Sequence, residues 1–193
     1  MPREPVAQND VVETLAQSPG LNRYELSKLT GSHHHVIARA VDKLEADHEV
    51  TKIDDGLANT GHTKYVYELT EKGFYRAILL GVPFNKVSHE YQTLYESVRT
   101  WVALDRILTK ELGKTWTLSK NKFFQQMAAI IRSAREFGDT RLEMTLSGFL
   151  ADFLKNSLKV PPVVSNHIYK RMKNDPVTGP TTQEVERKLQ IFR

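Results

Sequence analysis

The sequence contains no cysteine. That excludes disulfides, thiolate metal sites and a cysteine nucleophile, and it fits a reducing compartment. No apolar run approaches about 18 residues, so no membrane span is expected. The opening MPREPVAQND has no charged-then-apolar signal pattern, and the expectation is a cytoplasmic chain. Enzyme signatures are also missing. There is no Gly-rich phosphate loop, no G-x-S-x-G, no H-E-x-x-H and no acidic metal cluster. Ser, His and Asp occur without a local triad signature. The expectation is therefore a protein that is not an enzyme and uses no cofactor or metal.

What is present is an ordinary globular composition with an uneven charge. The 193 residues allow one or two domains, and 40% hydrophobic with 26% charged residues is enough for a core. The net charge of +4 hides a division: residues 1–81 carry 9 Lys/Arg and 12 Asp/Glu, a net −3, and residues 82–193 carry +7. Attraction to phosphate depends on a local patch and not on a domain sum. Even so, an acidic first half weighs against a strongly basic reading head.

The pattern along the chain predicts mainly α structure with a small β-hairpin. A first helix is expected over about Gln8 to Gln17, ended by Ser18-Pro19-Gly20. Asn22 with Glu25 three residues on has the spacing of a capping box. Thr30-Gly31 makes a turn, and Ser32 is expected to cap a third helix reaching Ala46, with Ile37, Val41 and Leu44 inward. Val50–Ile53 and Tyr65–Leu69 read as strands around the polar loop DDGLANTGHT. Thr70 is placed to cap a fourth helix, and Gly81-Val82-Pro83 marks the expected boundary. This order is helix-turn-helix followed by a hairpin wing, a layout whose second helix commonly enters the DNA major groove.

With the core stripe inward, the third helix presents His33, His34, His35, Val36, Ala38, Arg39 and Lys43 outward. Arg39 is the best base reader, because its fork makes two bonds to guanine. Ser32 and His34 stand near the helix start, where backbone N–H groups meet phosphate. Val36 or Ala38 suits a thymine methyl. Lys28, Lys43 and Lys64 are candidate phosphate contacts, with His62 and Lys64 on the wing. Asp54 and Asp55 are most simply turn residues. The run His33-His34-His35 does not make a metal site, since adjacent helical residues point about 100° apart. A milder reading is pH-sensitive binding.

The stretches RYELSKLTG, VDKLEAD and TKYVYELTEKG resemble the winged helix-turn-helix transcriptional regulators, especially the PadR type, with the MarR type a near relative. The resemblance covers about Val11 to Leu80. It implies a reading helix over Ser32–Ala46, a wing over Val50–Leu69 and a C-terminal helical region that dimerises. The Gly-Leu usual before the first wing strand is His48-Glu49 here.

The second half is helical in pattern. From Val87 to Leu112 apolar residues recur at gaps of four and three, with Asp105 in one slot. Tyr91, Leu94, Val98, Trp101, Leu108 and Leu112 are therefore candidates for a dimer seam, or equally for packing on the other C-terminal helices. Ser119 is expected to cap the next helix, with Phe123, Met127, Ile130, Ala134 and Phe137 on one side. A third helix is expected over about Thr140 to Leu158, and a short one over Ser165–Met172. NDPVTGPTT reads as a flexible linker before a terminal helix over Gln183–Phe192. Lys110, Lys114, Lys120, Lys122, Arg132, Arg135 and Arg141 give this half its positive balance.

The expected organisation is a winged helix-turn-helix domain (1–81), an all-α domain (82–173) and a linker with a short terminal helix (174–193). The expected function is sequence-specific binding of double-stranded DNA by a homodimeric repressor. A small-molecule effector is compatible but unidentified. The alternative is a winged protein-interaction module whose basic helical half contacts nucleic acid.

Overall fold

A computed structural model describes residues 4–57, 63–136, 138 and 142–191. The chain forms two compact units, Met1–Glu90 and Tyr91–Arg193. Among the described residues the structure is mainly helical, with one antiparallel hairpin. No helix in them is long and apolar enough to cross a membrane.

The first unit comprises α1 (Glu4–Gln17), α2 (Arg23–Thr30), α3 (His34–Ala46), β1 (Val50–Leu57), β2 (Thr63–Leu69) and α4 (Glu71–Leu80). α1 begins a turn before the expected Gln8. It is the centre of the unit, packing on α2, α3, α4 and β2. Its Val11, Val12, Leu15 and Ala16 are fully buried, as are Leu26, Ile37, Val41, Leu44, Leu69 and Phe74. The ends of the helices follow local chemistry. The Asn22 side chain accepts from the Tyr24 and Glu25 amides, and the Glu25 carboxylate accepts from the Asn22 N–H, which completes the capping box. Thr70 accepts from the Gly73 amide at the start of α4. Ser32 does not cap α3. The cap position is His33, with no side-chain bond, because Ser32 is tucked into the α2–α3 turn, where its carbonyl accepts from the Ser27 hydroxyl at 2.7 Å.

In the hairpin Val50 pairs with Leu69 and Asp54 with Tyr65, and the register shifts between Asp54 and Leu57. The shift sits where Gly56 takes φ 85° and donates its N–H to the Asp54 carboxylate at 2.8 Å. A side chain would strain that backbone, so the glycine allows a bulge. A third extended piece joins the sheet. Gly20 N–H donates to Tyr67 O, and Tyr67 N–H donates to Leu21 O at 2.9 Å, which ties the entry to α2 against β2. The chain after Gly81 still belongs to this unit. Val82 and Phe84 are buried, and Ser88 N–H donates to Ala16 O at 2.8 Å. For that reason the division lies at Glu90 and not at Gly81.

The second unit contains α6 (Glu96–Leu112), α7 (Lys114–Glu136), α8 (Leu142–Asp152), a π-helical turn (Phe153–Ser157), α9 (Pro162–Asn174) and α10 (Gly179–Ile191). The short α5 (Glu90–Leu94) leads from the first unit into it. The seam expected from Val87 to Leu112 is not one helix. Tyr95 is extended at φ −120°, ψ 125°, and this single residue resets the helical phase between α5 and α6. The core is aromatic. Trp101 stacks on Phe124 at 5.1 Å, and Phe123 meets Trp116, Phe149 and Phe153 within 5.2 Å. Ser119 lies inside α7, which must start at Lys114 to carry Trp116 into this core. Ile131 and Phe124, rather than Ile130, complete its buried side; Phe137 lies outside the described residues. The segment expected as a flexible linker forms a bonded turn. Asp175 accepts from the Val177 and Thr178 amides and pairs with Arg106, and Gly179 opens α10.

Candidate nucleic-acid interface

Helical periodicity decides what α3 offers. Ile37, Ala40, Val41 and Leu44 are fully buried. The opposite side therefore presents His34, His35, Arg39, Asp42 and Lys43 to solvent, with Val36 and Ala38 half-buried at its edge. Arg39 is exposed and has no ion-pair partner among the described residues. The helix starts without a side-chain cap, so the His34 and His35 N–H groups stand at the positive end of the dipole with no capping side chain. His33 is also exposed, its ring stacked on His35 at 5.7 Å with 13° between planes.

The other expected contacts are placed less uniformly. Ser32 is buried, at 8% exposure, and cannot reach a ligand as proposed from the sequence. Lys43 leans on Asp47 at 3.2 Å, one turn along. Lys64 pairs with Asp55 across the hairpin at 2.5 Å. The hydrogen bond to Asp55, and then that carboxylate's charge, hold the Lys64 ammonium above the ordinary lysine value. Asp55 is thus a strand residue with a partner and not a turn residue. Lys28 is exposed and unpaired among the described residues. His62 lies outside the described residues.

Three features escaped the sequence reading. Asp42 lies on the outward face, three residues from Arg39, and pairs with Arg23 of α2. The helical wheel places it there. The Arg23 partner, nineteen residues away, leaves no local signal. The Arg23 guanidinium also covers the Tyr67 ring at 5.6 Å, which joins α2, α3 and β2. Lys52 caps the Tyr65 ring on the hairpin at 3.7 Å. Finally, Tyr24 and Leu29, apolar positions of α2, are 70% and 61% exposed. α2 has only eight residues and buries a single side chain, Leu26, which leaves its other apolar groups outside.

The residues proposed for a dimer seam are mostly consumed by the chain's own cores. Tyr91, Val98, Trp101 and Leu108 are at most 2% exposed, Leu112 is half-buried, and only Leu94 is free at 52%. A buried side chain cannot also line an interface between copies. Asp105, the polar slot in that stripe, accepts from the Trp116 indole N–H at 2.6 Å and from Lys120 at 3.2 Å. No protein-family model, curated protein or solved structure matches this chain.

Proposed function

We propose that the chain binds double-stranded DNA through its first unit, as a winged helix-turn-helix regulator. One observation carries the reading: Arg39 stands exposed and unpaired among the described residues, midway along a helix whose opposite side is fully buried. A base-reading helix needs that combination of a rigid back and a free bidentate donor. The uncapped start of α3 offers N–H groups for a phosphate. The Leu21 bridge adds a third extended segment beside β2, so that the wing is anchored next to α2. Repression by a homodimer on a two-fold-related site is part of the same proposal, with a surface other than the buried seam joining the copies.

The test is selection of bound sequences from a random duplex pool, followed by Arg39→Ala. The variant should lose about tenfold in discrimination at one base pair while its affinity for random duplex changes little. Equal losses on selected and random duplex would remove Arg39 from the reading role.

A second reading, a protein-docking module, draws on a separate observation. Arg23, Lys43 and Lys64 are all paired with carboxylates of this unit, and Tyr24 and Leu29 stand exposed on α2. Failure of the duplex selection, with retention of a protein partner that depends on Tyr24, would favour it.

A further inference from the structure

We propose that the outward face of α7 grips the phosphate backbone of nucleic acid. The inference rests on the DNA-binding reading and supplies its missing cations, since residues 1–81 sum to −3.

α7 carries Lys114, Lys120, Lys122, Arg132 and Arg135, and its only acid is the last residue, Glu136. These cations are not equally free. Lys120 is largely buried and donates to Asp105, and Arg132 and Arg135 are engaged within the chain. Lys114 and Lys122 are exposed and have no ion-pair partner among the described residues. Eight residues separate them, about 12 Å along the axis and about 80° around it, so they share one side of the helix. Between them lie Leu118, 79% exposed, and the exposed amide of Asn121. Two carboxylates of the neighbouring α6 are spoken for. Asp105 serves Trp116 and Lys120, and Glu111 pairs with Arg171 at 2.7 Å. Lys114 also sits in the first turn of α7, which has no acid, where the helix dipole disfavours a cation. A local conflict of this kind is relieved by an anion.

A strand of duplex carries one phosphate per about 3.4 Å of axis, so about 12 Å of one strand presents roughly three or four phosphates to this side. An anionic membrane is a poorer fit. A helix that lies in a bilayer surface turns a broad apolar stripe outward, whereas Phe123, Phe124, Met127 and Ile131 are buried in the unit.

The test uses the full chain, with Lys114→Ala/Lys122→Ala compared with Lys155→Ala/Lys170→Ala, which removes the same charge from other exposed positions of the unit. Alanine favours helix, so the fold is preserved. Affinity for selected and scrambled duplex is measured across salt concentrations, with phosphatidylglycerol vesicles as a parallel ligand. The Lys114/Lys122 variant should lose about tenfold on both duplexes at low salt, and its log K against log salt slope should flatten by about 1.8, with base preference intact. Wild-type protein that binds duplex while this variant keeps the full slope overturns the inference and leaves the DNA reading standing. Equal flattening by both lysine pairs, or a loss confined to vesicles, also overturns it. A wild type that binds no duplex overturns both.

Discussion

His48 adopts φ 56°, a left-handed backbone that favours glycine. The next residue, Glu49, is 4% exposed and pairs with Arg76, which in turn donates to Asn9 of α1 at 2.8 Å. An ion pair thus ties the entry of β1 to α4 and α1. Removing one partner of such a pair strands a buried charge. Glu68 shows the opposite balance. Burial pushes its carboxyl above the ordinary value of 4.5, and the Glu90 charge adds to the effect. A carboxyl whose folded pKa is raised destabilises the ionised native state, so stability is gained as pH falls through the raised value. Glu68→Gln should therefore unfold at a higher temperature than wild type at pH 7. The difference should shrink in acid, as followed by thermal melts from pH 7 to 4. An advantage that persists unchanged in acid would mean that the ionised carboxylate is not its source.

Element by element, the local signals were legible where one segment carries its own answer. The capping box at Asn22, the Thr70 cap and the inward stripe of α3 all lie within one helix turn or face. Signals that depended on a partner element were not. Asp105 breaks an apolar stripe, and only the fold of α7 onto α6 supplies the Trp116 indole that it binds. Trp116 is fully buried, so Asp105→Ala leaves its N–H without an acceptor at a cost of about 1–3 kcal/mol. Chemical denaturation followed by tryptophan fluorescence should show that loss. Asp105→Asn, which keeps an acceptor, should recover a part of it. Equal stability of the alanine variant and wild type would show that the indole finds another partner.

At the scale of the whole molecule, each unit has its own buried core, and the two tryptophans, Trp101 and Trp116, both lie in the second. Tryptophan fluorescence thus reports the second unit, and far-ultraviolet circular dichroism reports both. Gly73 gives a way to separate them. A Cβ there would stand 1.9 Å from the Glu49 carbonyl oxygen, so Gly73→Ala forces α4 away from the backbone that enters β1. Overpacking of this kind costs about 1–3 kcal/mol, which lowers the melting point of a unit this size by roughly 10 °C. The dichroism transition should become biphasic while the fluorescence midpoint stays in place. Coincident shifts in both probes would show one cooperative molecule instead.

Sequence alone determined the order of helices in the first unit, where the hairpin lies and which side of α3 faces inward. Those properties follow from periodicity and caps, whose physics is completed within a few neighbouring residues. Tertiary structure alone decided which polar groups are free. Lys43, Lys64 and Lys120 look equivalent to Lys114 and Lys122 along the chain, yet the first three find carboxylates of their own unit. It also turned the expected seam inward, because α6 packs on α7 and α9 of its own unit. Pairing and burial are decided by distances between residues remote in sequence, and periodicity carries no information about those distances.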